Sequence, residues 1–346
     1  MLVVNANGDC ILPAKENCSC NFILSYAFPL SIAEWNNDFC NWNYQNYIDL
    51  FFDYDKELNI DIRLLDGLEY GINERLNTEL FEVYHYNEDY LYETIIESII
   101  EALDQGQYMI VFLDENKLGL TEELFIHESM FIGYNLERKI FYILCFANYK
   151  YQKREVTFDE VRQSYKSAVD NKGWLKYGWK SHMVTGICFA MNSSYKYSPE
   201  LAKEKMIDYY EQVGERAYKG IELFEGVSNF LAELYENREV NRHAKFYDVI
   251  KTFQAIYQHR VGMRNRIVYY ASITKKSIPE SELVYMQVVE KRIKLCQLQM
   301  MKSYIRDEND AELCMRDIPM IRKSLLSIGR CEKQIWDKLM EVVCNE

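Results

Sequence analysis

The chain has 346 residues, 49% of them hydrophobic, with 28 Tyr, 17 Phe and a net charge of −13. This length and composition predict a folded protein with two hydrophobic cores and exclude a disordered chain. The acidic charge argues against nucleic-acid binding. The absence of a signal peptide and of any apolar run near the roughly 20 residues that span a bilayer predicts a cytoplasmic protein with no membrane segment.

Ten cysteines are scattered through the chain rather than clustered. This distribution is typical of reduced, mostly buried thiols in the cytoplasm. Cys18 and Cys20 form the only close pair, and neither a second pair nor a nearby histidine completes a metal-ligand pattern. No glycine-rich phosphate loop occurs either, so we expect no metal and no cofactor.

Charge is distributed unevenly along the sequence. Residues 1–160 carry 29 acidic and 10 basic residues, whereas residues 161–346 carry 24 acidic and 30 basic residues. The acidic half favours a cationic small molecule, and the mildly basic half favours an acidic macromolecule. The alternative is that two solvated faces merely differ in charge.

Predicted elements in the first half are mixed. An apolar segment over 20–28 can begin a buried helix that Pro29 interrupts, and residues 42–52 fit a helix or a strand. Helical spacing over 90–103 stops at Gly106, and a buried strand over 108–113 follows.

A β-hairpin is predicted next. Two apolar runs, 127–135 and 140–145, flank a charged turn, and His127 begins the first run. The segment 156–161 then reads as a strand end followed by a capped helix start.

The second half is predicted to be helical. A glycine-containing connecting segment over 166–198 precedes helical patterns over 199–240, 245–274, 279–305 and 310–343. Four such helices favour an antiparallel helical bundle, which makes the fold class α+β.

A histidine at a strand start, with a thiol before a helix upstream, is the arrangement of papain-like cysteine enzymes. Cys20 lies 107 residues before His127 and just ahead of an apolar segment, where a helix N-terminus and an imidazole would lower a thiol pKa. Cys18 and Cys10 are alternatives. The competing interpretation is that these are ordinary buried thiols and that His127 is a structural histidine.

The base also needs an orienting partner for its second ring nitrogen. Asn148, just after the second hairpin strand, is the predicted partner. Glu128 adjoins His127, but strand alternation directs it to the opposite face.

Several residues in and around the predicted hairpin form a recognisable set. They are Asp114, His127, Gly133–Tyr134, Phe141–Tyr142 and 156–160, with Trp42 and 46–50 upstream and His259, Met263, Arg266 and Tyr269 downstream. On these residues, the stretch 108–161 resembles the cysteine-peptidase-like family typified by the N-terminal region of butirosin biosynthesis protein H, which includes an enzyme type that forms the amide bonds of closthioamide. It is also similar to peptidases that process bacteriocin leaders, and the upstream and downstream residues resemble clostridial members of the family.

The resemblance implies a papain-like catalytic domain over 1–165, a connecting segment over 166–198 and a C-terminal bundle over 199–346. It also implies an acyl group moved from an acyl or peptidyl carrier-protein thioester, through a cysteine acyl-enzyme, onto a small amine or diamine in natural-product biosynthesis. Cys20 would be the nucleophile and His127 the base.

The sequence departs from the family at Cys145, where the orienting Asp would fall, and Asn148 would substitute for it. Two alternative functions remain open: a cysteine peptidase or hydrolase acting on a small peptide, and a catalytically degenerate scaffold.

Overall fold

The structure is a computed structural model of the chain. It describes residues 3–5, 7–36, 39–64, 80–147, 150–172, 183–190, 195–211, 218–237, 242–307 and 316–344. Helices and strands are both abundant in these segments, which confirms the α+β class. The chain divides into two compact units, Met1–Cys40 with Gly67–Tyr195, and Asn41–Asp66 with Lys196–Glu346.

The elements of the first part of the chain are β1 (Val3–Val4), β2 (Cys10–Ile11), α1 (Leu24–Ala33), α2 (Phe39–Asn46), β3 (Leu50–Tyr54), β4 (Ile60–Leu64), β5 (Phe81–His85), α3 (Glu88–Asp104), β6 (Tyr108–Asp114), β7 (Ile126–Asn135), β8 (Ile140–Ala147) and β9 (Lys150–Thr157). The remaining elements are α4 (Phe158–Asp170), β10 (Val184–Phe189), α5 (Pro199–Glu211), β11 (Tyr218–Lys219), α6 (Leu223–Glu236), α7 (Arg242–Thr274), α8 (Glu280–Asp307) and α9 (Ile318–Cys344).

The first unit is built on an antiparallel sheet in which β7 is central. The strand order is β1-β2-β7-β6-β10-β5, and β7 also pairs with β8, which pairs with β9. Every residue of β6 is buried, as its uninterrupted apolar sequence predicts. Every residue of α1 is buried too. The helix continues through Pro29 to Ala33, so the predicted break at Pro29 is wrong.

Gly133 allows two strands to approach β7 at the same place. The pairing of β7 with β8 shifts register between Phe131 and Gly133, and Gly133 also pairs with Ile11 of β2. A Cβ atom at position 133 would overlap the carbonyl oxygen of Cys10. Glycine is therefore required here because the neighbouring backbone leaves no room for a side chain.

The predicted capped start of α4 is confirmed. Thr157 is the N-cap: its hydroxyl accepts a 3.2 Å hydrogen bond from the Glu160 backbone N–H, and its own N–H donates to Glu160 Oε2 at 2.6 Å. This reciprocal capping box satisfies two amide groups that the first turn would otherwise leave unpaired.

The second unit contains a three-stranded sheet as well as helices. The order is β11-β3-β4, with Tyr218 opposite Phe52 and Lys219 opposite Phe51. The prediction of continuous helix over 199–240 is therefore wrong, because β11 separates α5 from α6. Helix α7 packs against α8, and α9 packs against α8 and α6.

The units also differ from the predicted domain ranges. Residues 41–66 cluster with the C-terminal helices, whereas β10, which lies inside the predicted connecting segment 166–198, pairs with β6 in the first sheet. Within the described residues, no helix combines the length and the apolar character needed to cross a membrane.

Candidate active site

His127 lies at the second position of β7 and is held by a carboxylate. Its Nδ1 is 3.0 Å from Glu115 Oε1, and the imidazole is about 29% exposed whereas the Glu115 side chain is buried. A carboxylate bonded to Nδ1 fixes the tautomer in which Nε2 can accept a proton, which is the state that a general base requires.

Strand pairing explains why Glu115 reaches His127. Leu113 of β6 is opposite His127, so the residue two positions beyond Leu113 lies on the same face of the ladder. The Glu115 backbone N–H donates to the Phe125 carbonyl at 2.8 Å, and its own carbonyl accepts from the Leu120 N–H at 2.9 Å. The backbone that carries the carboxylate is thereby anchored on both sides.

Asp114 stabilises the turn that presents Glu115. Its Oδ1 accepts the Asn116 backbone N–H at 3.1 Å, and its Oδ2 accepts the Ser167 hydroxyl at 2.7 Å. Ser164 donates to the Asp114 carbonyl at 2.8 Å. Asp114, the last residue of β6, is thus tied to α4 and supports the turn that carries Glu115.

Glu128 is a second acidic neighbour of the imidazole. Its Oε2 lies 3.6 Å from His127 Nε2, and the side chain is only 2% exposed. Within the described part of the chain, this oxygen is buried without a hydrogen-bond partner. A buried carboxylate oxygen in this state is costly, and a cationic or hydrogen-bonding ligand would relieve the cost.

Glu128 projects from the sheet face that carries α1. Met130 pairs with Leu144, so Glu128 and Phe146, each two residues away, share that face. The Phe146 ring contacts Tyr151, whose hydroxyl is 2.9 Å from Ser31 of α1. His127 Nε2, the nitrogen that is not bonded to Glu115, thus lies 3.6 Å from a carboxylate oxygen of Glu128, which projects from the α1 side of the sheet.

Cys20, the predicted nucleophile, is buried and lies four residues before the first residue of α1. The Sγ of Cys18 is 3.4 Å from the Cys20 carbonyl oxygen and 3.6 Å from that of Ala27. Burial, reinforced by the nearby Glu34 charge, raises the pKa of Cys18 well above that of an ordinary thiol. Cys18 is therefore held as a neutral thiol, which makes it a poor alternative nucleophile.

Cys145, where the resemblance predicts an orienting Asp, is a fully buried thiol of β8. Burial raises its pKa to about 12, and the Glu115 charge acts in the same direction. The carboxylate that contacts His127 belongs instead to Glu115, in the turn after β6. Asn148, the predicted orienting residue, lies outside the described residues.

Sequence reasoning did not identify Glu115 as a partner of His127. The available signal was an acidic pair, Asp114 and Glu115, directly after a buried strand and just ahead of the histidine strand.

In the described segments, no group of three or more His, Cys, Asp or Glu side chains is arranged to hold a metal ion. A search of protein-family models and a search of curated proteins found no match to this chain.

Proposed function

We propose that this chain is a papain-like cysteine acyltransferase that forms amide bonds, with Cys20 as nucleophile, His127 as base and Glu115 as the residue that orients the base. The observation that carries the proposal is the 3.0 Å contact between His127 Nδ1 and Glu115 Oε1 at the start of β7. This contact gives the imidazole a carboxylate partner, whereas the sequence predicted Asn148 for this role.

The surroundings of α1 support Cys20 as the nucleophile. Ile23, the N-cap of α1, makes no side-chain capping hydrogen bond, and the first turn contains no acidic residue. The positive end of this helix is therefore not compensated by its own side chains, and such an end favours a nearby thiolate. Burial keeps Cys18 and Cys145 protonated. Because Cys20 is buried too, the preference for Cys20 rests on its place just before α1.

The reaction proceeds in two displacements. The Cys20 sulfur attacks the carbonyl carbon of a carrier-bound thioester, the bond to the carrier sulfur breaks, and His127 passes the Cys20 proton to that leaving thiolate. An amine then attacks the acyl-enzyme, a C–N bond replaces the bond to Cys20, and His127 returns the proton of the amine to the sulfur. No nucleotide is consumed, because the thioester already carries the activated acyl group.

Glu128 supports a diamine as the acceptor. A diamine can keep one amino group protonated while the other, neutral group attacks. The Glu128 Oε2 atom, buried and without a hydrogen bond among the described residues, is suited to bind that ammonium group next to His127 Nε2. The donor would be an acyl or peptidyl carrier protein, and the mildly basic second half of the chain favours such an acidic partner.

We place the protein in the cytoplasm, where its thiols would remain reduced. The cysteines in the described segments are free rather than joined in disulfides. This fits the need of the proposed mechanism for a reduced Cys20.

The proposed chemistry is tested with a synthetic acyl thioester, offered alone, with 1,3-diaminopropane or with propylamine. Amide formation with the diamine should exceed both hydrolysis and the reaction with propylamine. Glu128→Gln should reduce the preference for the diamine roughly 10- to 100-fold, which corresponds to the loss of a charge-assisted hydrogen bond. Product is quantified by mass spectrometry.

Glu123→Gln is the matched control, because this glutamate is exposed in the loop before β7, and it should behave like the unmodified protein. If the carboxylic acid were the sole product at every amine concentration, the protein would be a hydrolase rather than an amide synthase. If no product formed from the thioester alone or with either amine, the protein would instead be a catalytically degenerate scaffold.

A further inference from the structure

The outward face of α8 carries a stripe of aliphatic side chains at coiled-coil spacing. Steps of four and three residues connect seven positions, five of them aliphatic and two lysine. We call these positions the outer stripe of α8; they are Val284, Val288, Lys291, Leu295, Leu298, Lys302 and Ile305. Its aliphatic members are 40–64% exposed.

The stripe is not the face that α8 uses inside its own unit. The side chains that α8 buries occupy the other side of the helix; they are Met286, Val289, Ile293, Cys296 and Met300. At 1.5 Å per residue the stripe runs about 31 Å along the helix. An apolar seam of this length with heptad spacing matches a second helix packed alongside.

The exposed charged residues of α8 along the stripe are basic. From Val284 to Ile305 the only acidic residue is Glu290, which is buried and bonded to Arg264 at 2.6 Å. Lys291 and Lys302 are exposed within the stripe, and neither forms an ion pair with an acid in the described part of the chain. Between Val284 and Ile305, α8 itself therefore presents no exposed acidic side chain.

This charge pattern argues against a second copy of the chain as the occupant. An antiparallel pair centred between Leu295 and Leu298 would place Lys291 against Lys302, and a parallel pair would place each lysine against itself. Both arrangements put like charges in contact at the seam.

A membrane is also a poor match. Helices that lie on bilayers carry their basic residues on the polar face, away from the apolar stripe, whereas Lys291 and Lys302 stand in line with the aliphatic residues. The net charge of −13 would in addition repel an anionic surface.

We propose that the outer stripe of α8 is a docking site for an acidic amphipathic helix of another protein. Leucine-type side chains of that helix pack between the aliphatic residues, and its carboxylates face Lys291 and Lys302. This inference concerns a binding surface and stands independently of the proposed acyl transfer, because binding is measured without turnover.

The test uses two labelled four-heptad peptides with leucine at the a and d positions, one with glutamates and the other with lysines opposite Lys291 and Lys302 and along the flanks. Fluorescence anisotropy should show at least tenfold tighter binding of the acidic peptide, weakened by salt. Leu295→Asp with Leu298→Asp should abolish binding. Lys291→Glu with Lys302→Glu should reverse the preference between the peptides.

Leu326→Asp is the matched control, since Leu326 is an exposed leucine on α9 and its replacement should leave binding intact. All these positions are exposed, so circular dichroism should show unchanged helicity. Equal affinity for the two peptides, or no binding of either peptide, would overturn the proposal. A dimer in sedimentation that the double aspartate variant dissociates, or binding to phosphatidylserine vesicles that this variant loses, would assign the stripe to a second copy or to a membrane instead.

Discussion

Glu332→Ala or Arg260→Met should each destabilise the second unit by about 3–5 kcal/mol, because either change leaves one buried charge without its partner. Both side chains are almost completely buried. Arg260 Nε is 2.7 Å from Glu332 Oε1, and Nη2 donates to Glu332 Oε2 at 3.1 Å. Burial alone would lower the pKa of Arg260, but the Glu332 charge outweighs it and the pKa is raised.

Further contacts fix the guanidinium in place. Its Nη2 also donates to the Gly220 carbonyl at 2.9 Å, Nη1 donates to His259 Nδ1 at 2.8 Å, and the Phe224 ring lies 5.1 Å from its Cζ atom. This side chain thereby connects α7, α9 and the turn before α6. Loss of this side chain should therefore destabilise the whole unit rather than one helix alone.

A double-mutant cycle separates the charge effect from simple loss of packing. Arg260→Met combined with Glu332→Leu should cost less than the sum of the single changes, since a well-packed apolar pair leaves no unpaired charge. Urea titration, monitored by hydrogen exchange of the backbone amides of α9, measures the free energy of unfolding of the second unit. Single changes costing under 1 kcal/mol, or strictly additive costs, would contradict a desolvated ion pair.

The same cluster should make the second unit sensitive to mild acid. Burial, with the charges of Arg260 and Arg266, lowers the pKa of His259 far below its ordinary value near 6.5. The folded state therefore keeps a neutral imidazole, whose contribution to stability is fully present above pH 6.5 and declines as the pH falls. Between pH 7.5 and 5.5 the free energy of unfolding should decrease, and His259→Gln should flatten this dependence.

The second large effect concerns catalysis: His127→Ala should lower the rate of acyl transfer by about 10²–10⁴-fold, the usual contribution of a positioned general base. The proposal assigns proton transfer in both displacements to this one imidazole. The fall should appear in kcat, because the change removes a proton acceptor rather than a surface that binds substrate. Single-turnover kinetics with the synthetic thioester gives the measurement.

Glu115→Gln should also lower kcat while leaving the fold intact, because the amide keeps the shape of the side chain but loses its charge at Nδ1. As a positioning residue, Glu115 should affect the pH dependence as well: without the carboxylate, the acidic limb of the pH–rate profile should move to lower pH. An unchanged profile, or an equal loss of activity in Glu123→Gln, would show that the Glu115 contact has no catalytic role.

Local patterns were enough to predict most elements around the candidate site. The buried strand β6, the hairpin of β7 and β8, and the capped start of α4 were all predicted, because each depends on nearby residues: an apolar run, a charged turn, and a Thr157–Glu160 pair at capping distance.

The partner of His127 could not be predicted in the same way. Glu115 follows β6, and it reaches the imidazole only because β6 and β7 pair in a register that puts Leu113 opposite His127. The register between β6 and β7, and the direction in which the Glu115 side chain points, depend on how the strands pair in the folded sheet. A local sequence pattern does not contain this information. The strand after the histidine, β8, was the expected source of the orienting group, but it presents the Cys145 thiol.

Long-range pairing also explains the error in the second unit. Tyr218 and Lys219 form a strand only because β3, more than 160 residues earlier, offers an edge for them. Their own sequence lies inside the stretch 199–240, whose pattern predicts one continuous helix, and carries no strand signal. The inclusion of residues 41–66 in that unit follows from the same non-local contacts.

The central claim is that Cys20 carries the acyl group, and an intact-protein mass spectrum after brief exposure to the synthetic thioester without amine tests it most directly. A mass increase equal to one acyl group should appear in the unmodified protein and in Cys18→Ala, should be absent from Cys20→Ala, and should disappear when diamine is added. An adduct that persists in Cys20→Ala, or an unmodified protein that gains none, would contradict the account.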